Sequence, residues 1–264
     1  MLPMRQETES SLLQSAEAPA ARVLNARGRA PAVLVCEHAS RFIPAALQNL
    51  GLDDDAARSH VAWDIGAMEL SIELMGALDA PLVYSRVSRL VYDCNRPPER
   101  EDSMPCLSEV FSVPGNINLT AAQRAQRLHE VYEPFRQLLS STLDARHERP
   151  VVITIHSFTP VYKGQKRTVE LGILHDEDDR AAQIMLQQAQ GSGLSVALNQ
   201  PYSATDGVTH TLREHAIKRG LPNVMIEVRN DLIDTPKGVN LMAGLLTPVL
   251  QSVITASSRT EAKL

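Results

Sequence analysis

Residues 151–158 read VVITIHSF. Val151, Val152, Ile153 and Ile155 form an apolar, β-branched run of the kind that sits inside a sheet, covered on both faces. Pro150 precedes the run, and Ser157, Thr159 and Pro160 follow it, so the strand is predicted to stop at His156. In an open α/β sheet, ligands bind beyond the carboxyl ends of the strands. His156 is therefore either a site residue or a hydrogen-bonded core histidine, and its neighbours in the fold must decide which.

Similar runs recur along the chain. PAVLVCEH (31–38), PLVYSR (81–86), RLVYDCNR (89–96), TVELGILH (168–175), LSVALN (194–199) and NVMIEVRN (223–230) read as strands. Helical spacing appears between them, over 64–79 with Asp64 as its N-cap and over 119–148 with Thr120 as its cap. Pro134 is expected to kink or divide the second of these. Further helices are expected over 210–220 and 238–254, and over 176–190, where the acidic opening DEDD suits a helix N-terminus better than a cation. Strands alternating with helices give an α/β fold: a single domain with a mixed, largely parallel sheet and helices on both faces. Residues 1–28 read as a flexible arm with a short helix over 12–18, residues 29–256 as the domain, and 257–264 as a tail. The proline-rich stretch 97–118 reads as a long loop, either a lid or a surface excursion, and VYKGQKR (161–167) as a basic turn.

Four of the predicted strands end alike, in an apolar run, then polar or metal-capable groups, then a break. They present Glu37 and His38, Asp93 with Asn95 and Arg96, His156, and Glu227 with Arg229. Parallel strands would bring these groups to one sheet edge. Two neutral imidazoles and a carboxylate make a ligand set that suits Zn²⁺, another carboxylate can serve as base for a metal-bound water, and arginines can hold an acidic substrate. The bland alternatives are ordinary hydrogen-bonded histidines, an ion pair of Glu227 with Arg229 on one strand face, a pair of Asp93 with Arg96, and a helix cap for Asp64. His60, His129, His147 and His175 are expected at the surface. Ser40 and Cys36 could act as nucleophiles, but no G-x-S-x-G elbow surrounds them. No dinucleotide fingerprint or P-loop is present.

With a net charge of −5 and no block of Lys or Arg, neither nucleic acid nor an anionic membrane is an expected partner. The N-terminus lacks the pattern of a signal peptide, and no apolar run approaches ~20 residues. The three cysteines have no metal or redox spacing and suit a reducing compartment. A cytoplasmic protein is expected, monomeric or a small homo-oligomer.

CEHAS (36–40) followed by Ile43-Pro44, then AWDIGA (62–67), SRLVYDCNRPP (88–98), TIHSF (154–158) and IEVRND (226–231) occur in an order that resembles the N-formylglutamate amidohydrolase family. The resemblance covers about 31–250. It implies a phosphorylase/hydrolase-like fold akin to the zinc carboxypeptidases and metal-dependent hydrolysis of an N-formyl amino acid. It also implies His38 and His156 as zinc ligands and Glu227 as the base that activates water. Asn95 and Arg96 become a carboxylate clamp, Arg89 an oxyanion support, and Arg89 and Arg213 partners for a second anionic group, with Ser157 and Arg229 also near substrate. Carboxypeptidases place a glutamate three residues after the first histidine, where this chain has Arg41. Asp64 is the substitute third ligand, with Glu37 as fallback. Another divalent metal could replace zinc. Some family members read proline-histidine-serine-glycine where this chain has Glu37 to Ser40, so a related small N-acyl amino acid is equally implied as substrate. Two rivals stand beside this reading: a non-catalytic binder of acidic metabolites, motivated by Arg41, and a metal-free nucleophile enzyme using Ser40 or Cys36.

Overall fold

The computed structural model of the chain describes residues 11–261. Its strands are β1 (Ala21–Leu24), β2 (Ala32–Cys36), β3 (Leu82–Ser85), the hairpin β4 (Leu107–Ser108) and β5 (Phe111–Ser112), β6 (Val151–Phe158), the hairpin β7 (Val161–Tyr162) and β8 (Gln165–Lys166), β9 (Leu171–Leu174), β10 (Val196–Leu198) and β11 (Asn223–Arg229). The helices are α1 (Asp54–Arg58), α2 (Ala67–Leu78), α3 (Ala121–Arg127), α4 (Glu133–Asp144), α5 (Arg180–Ala189) and α6 (Pro236–Glu261). Seven strands make one sheet in the order β1-β3-β2-β6-β11-β9-β10. The strands β3, β2, β6 and β11 run parallel, as do β9 and β10, while β1 on β3 and β9 on β11 are antiparallel. The sheet is thus mixed and largely parallel, as the sequence predicts.

Both faces are covered. Alternate residues of β2 send Leu34 and Cys36 into a core with Leu70 and Leu74 of α2, Met185 of α5 and Leu246 of α6. Val33 and Val35 enter a second core with Phe135, Leu139 and Leu143 of α4. Period-two alternation in a strand buried on both sides is what makes its sequence read as continuously apolar.

Several predicted elements differ. The run at 89–96 is no strand: after β3 the chain folds into turns, with Leu90, Val91, Tyr92 and Cys94 buried in the second core. A buried turn and a buried strand share an apolar signature. β6 continues to Phe158 because β11 pairs with it to the end, Phe158 opposite Arg229. Asp64 does not cap α2. Gly66 holds that position at φ +77°, and a Cβ there would meet the Ile233 carbonyl oxygen at 2.1 Å. Thr120 caps α3 with a capping box involving Gln123. A π-helical turn, Leu128–Tyr132, then separates α3 from α4, whose first turn takes Pro134 without losing a needed donor. The helix expected over 210–220 is a π-turn, Leu212–Ala216, followed by a 3₁₀ turn.

The expected arm is largely part of the fold. Residues 1–10 lie outside the described residues, but Ala21–Leu24 form the edge strand, Leu12 and Leu13 are buried, and their amides donate to Glu130. The helix expected over 12–18 is a turn. The expected tail is helical to Glu261, since α6 continues past residue 256. By length and composition Pro236–Ser258 could cross a membrane; in this fold Val239, Met242, Leu246, Leu250 and Val253 bury one face of it in the core.

Candidate metal and catalytic site

Parallel pairing of β2, β6 and β11 puts their carboxyl ends on one edge, and the strand-end groups converge there. In the register of β6 and β11, His156 lies opposite Glu227. His38 arrives from the turn after β2, and Asp64 from the turn before α2, where its amide donates to the His38 carbonyl. All four side chains are buried and line a cavity of about 180 Å³.

His38, Asp64 and His156 form a group that can hold a metal ion. The Asp64 Oδ2 lies 3.2 Å from His38 Nδ1 and 2.9 Å from His156 Nδ1, and the two Nδ1 atoms are 3.2 Å apart. Three donors each about 2.0–2.1 Å from a tetrahedral Zn²⁺ would be separated by about 3.3 Å. The triangle is thus close to the size such an ion requires.

The opposite edge of each ring faces a carboxylate, through a hydrogen bond at His38 and at ion-pair distance at His156. His38 Nε2 lies 2.7 Å from Asp93 Oδ1, and His156 Nε2 lies 3.2 Å from Glu37 Oε2. Carboxylates in that position fix the ring and its tautomer so that the other nitrogen faces a metal. Glu37 therefore stands behind His156 and is not among the donors of the triangle, and Asp93 is partnered by His38 in place of Arg96. Arg89 bridges the arrangement, donating to Asp64 Oδ1 at 3.2 Å and to Asp93 Oδ2 at 2.8 Å.

Electrostatics point the same way. Glu37, Asp64 and Asp93 set against Arg89 leave two uncompensated negative charges at a buried site if the imidazoles are neutral. Burial alone would raise the Asp64 carboxyl, but His38, His156 and Arg89 hold it well below its ordinary range. Burial would lower both histidines, and the surrounding carboxylates outweigh it: His38 is raised and His156 well above its usual value. Protons are drawn to where a divalent cation would balance the charge with neutral, ligating imidazoles. Removing the Asp93 carboxylate tests this support. Asp93→Asn is expected to weaken metal affinity about 10–100-fold while leaving the secondary structure intact, as read by metal titration and circular dichroism.

Glu227 is the fourth group. Its Oε2 has no hydrogen-bond partner among the described residues, and burial pushes the carboxyl up to about 7. Its expected bland partner is engaged elsewhere: Arg229 Nε donates to Asp231 at 2.7 Å and Nη2 to Glu170 at 3.3 Å. A buried carboxylate without a donor, on the wall of a cavity, is available for proton transfer.

The other expected residues divide. Asn95 and Arg96 line the cavity but are spent in part on its walls. Asn95 donates to the Val208 carbonyl and accepts from the Thr211 amide, while Arg96 bonds Asp102 and the Asn95 and Gly207 carbonyls. Ser157 also lines it, with Oγ donating to the Ile65 carbonyl and its amide to Asp64. Arg213 pairs with Asp176 in a different cleft, and Arg229 is outside the cavity as well. Arg41 is exposed and rests against Trp63. Ser40 and Cys36 do not line the cavity, and burial pushes the Cys36 thiol well up, away from the reactive thiolate.

Four further wall residues had no signal in the sequence. His60, expected at the surface, lines the cavity and pairs at 2.6 Å with Glu109. Glu109 belongs to the β4–β5 hairpin, which brings part of the 97–118 loop to the mouth, and its other oxygen accepts from the Lys163 amide. Tyr162 and Tyr202 complete the wall. The Tyr202 phenol is raised to about 12, by burial first and then by Glu227. Only the packing of separate loops brings these four together.

The N-formylglutamate amidohydrolase profile matches residues 30–234. Among solved structures, a gene product of Agrobacterium tumefaciens is 47% identical, with 93% of this chain and 98% of that chain covered and a TM-score of 0.90. The N-formylglutamate amidohydrolase of Ralstonia eutropha JMP134 is 15% identical, with 92% and 100% covered and a TM-score of 0.64, which shows the shared fold. None of the curated proteins compared with this chain matches it. The profile spans the donor triangle, its supporting carboxylates and Glu227, and the chain belongs to the N-formylglutamate amidohydrolase family.

Proposed function

We propose that this protein is a metal-dependent hydrolase of an N-acyl amino acid, N-formyl-L-glutamate or a close relative, releasing formate or another carboxylate and the free amino acid. The observation that carries the proposal is the triangle of His38 Nδ1, His156 Nδ1 and Asp64 Oδ2 beside an unpartnered Glu227. Zinc is the metal this donor set suits best. A cation held there supplies the Lewis acid that polarises an amide carbonyl and acidifies a water.

The chain's own groups do the rest. Glu227 takes the proton from the attacking water and returns it to the departing amine, which a carboxyl raised by burial is suited to do. Arg89, fixed by two carboxylates, presents its remaining donors to the oxyanion. Arg96 binds the α-carboxylate through the guanidinium edge left over from its wall contacts, and Asn95 holds the 208–211 segment beside it. The binder alternative drew on Arg41; the closeness of Asp64 Oδ2 to both histidine Nδ1 atoms supports the hydrolase reading instead. We assign the protein to the cytoplasm, acting on a small molecule as a monomer or small homo-oligomer.

The test is direct. Protein loaded with zinc is incubated with N-formyl-L-glutamate and formate is measured, with the chelator-treated protein as control. Formate release that disappears on chelation and returns with zinc is the expected result. Full turnover without metal, or none of any N-acyl amino acid with it, overturns the proposal.

A further inference from the structure

The acidic stretch 176–179 splits in the fold. α5 begins at Arg180, and two of the acids serve its first turn, Asp178 bonding Arg180 and Asp179 bonding Gln183. Asp176 turns away from the helix. Its side chain, 4% exposed, holds the segment 207–213 instead. Thr209 Oγ1 donates to Asp176 Oδ2, Arg213 Nε donates to the same oxygen at 2.5 Å, and Arg213 Nη2 donates to Oδ1 at 3.2 Å. Burial would raise the carboxyl, and Arg213 and Thr209 outweigh it, so that Asp176 is held below its ordinary range as a charged acceptor. Its backbone is tied to the sheet. The Asp176 carbonyl accepts from His175 Nδ1 at 2.8 Å, and His175 Nε2 accepts from Asn199, just after β10, at 3.1 Å.

The segment it holds carries the polar wall of the cavity. Asn95 Nδ2 donates to the Val208 carbonyl at 2.5 Å, and Asn95 Oδ1 accepts from the Thr211 amide at 3.0 Å. Arg96 Nη1 donates to the Gly207 carbonyl at 3.0 Å. Asn95, Arg96 and Val208 line the cavity; Asp176, Thr209 and Arg213 do not. We propose that Asp176 is a positioning residue for substrate binding: it fixes the segment 207–213 so that Arg96 keeps the geometry in which it meets the substrate carboxylate. A displacement of about 1 Å in such a support is enough to weaken a bound contact by an order of magnitude or more.

This inference rests on the hydrolase reading for its substrate. Asp176→Asn keeps the shape of the side chain but turns one N–H edge toward donors that need an acceptor. In zinc-loaded protein it is expected to raise KM for N-formyl-L-glutamate about tenfold, with kcat within about threefold and metal content unchanged. Thr209→Val removes one of the two arms and should raise KM by less, about threefold, whereas Thr209→Ser keeps the hydroxyl and should match wild type. Since both changes act through one contact, the double variant should lie close to Asp176→Asn alone. An unchanged KM with a lower thermal midpoint would make Asp176 a support for stability only, and loss of metal would mean that it acts on the donor triangle; either overturns the inference. If circular dichroism shows that Asp176→Asn does not fold, Thr209→Val against Thr209→Ser decides. Calorimetry with L-glutamate needs no turnover. If nothing is hydrolysed but L-glutamate binds wild-type protein about tenfold tighter than Asp176→Asn, the hydrolase reading fails and this one stands. Wild-type protein that neither hydrolyses nor binds these compounds overturns both.

Discussion

His156→Ala is expected to lose the bound metal and the activity together. Purified wild-type protein should carry about one divalent ion per chain, and the variant near none, with turnover lower by at least about 10³-fold. Three features of His156 support so large an effect. Its Nδ1 is one corner of a donor triangle with edges of 2.9–3.2 Å. Its Nε2 faces the buried Glu37 carboxylate at 3.2 Å, so turning the ring away would remove the nearest partner of that charge. Its strand is central, with β2 on one side and β11 on the other, so the backbone should stay in place when the ring is removed. Elemental analysis and formate release, with circular dichroism as the check on folding, measure all of this. A variant that keeps its metal and its turnover would place the reaction elsewhere in the molecule.

Glu227→Gln separates the base from the metal site. The amide has nearly the shape of the carboxylate and cannot accept the water proton, so kcat should fall about 10²–10⁴-fold. Metal content should stay near one ion per chain and KM should change little. Stability offers a second readout. The native carboxylate is buried with an oxygen that no donor reaches, an arrangement that costs folding free energy. Replacing it with a neutral group should leave the thermal midpoint of the metal-free protein unchanged or raise it, the trade expected where a residue is kept for activity. A purely structural Glu227 would give the reverse: activity within a few-fold of wild type and a lower midpoint.

These two residues were also the most legible in the sequence, for a common reason. VVITIH and VMIE are runs in which a chemically costly residue interrupts an apolar strand, and burial of a histidine or carboxylate needs a partner that local sequence does not provide. Such a residue stands out from its neighbours by chemistry alone. The alternation of these runs with helical segments likewise sufficed for an α/β sheet covered on both faces, because period two and period 3.6 are written into the chain by which residues must be buried. The motif order sufficed for the family.

Tertiary structure decided what depends on distance. The sequence offered Asp64 as third ligand with Glu37 as fallback; in space Glu37 faces His156 Nε2 while Asp64 Oδ2 lies beside both Nδ1 atoms. Asp93 could have paired with Arg96, three residues away, yet the turns that replace the expected strand at 89–96 carry it to His38, 55 positions earlier. His60 and Glu109 had no pattern at all, since loops that meet only in the folded state leave no periodic trace. Asp176 looked like one charge in the acidic opening of a helix, and only the packing of the segment 207–213 against the end of β9 brings it to Thr209 and Arg213. Periodicity reports which face of an element is buried; it carries nothing about which distant element buries it. The sequence by itself therefore determined the layers and much of the chemical inventory, and tertiary packing alone decided where the strands end and which members of that inventory touch.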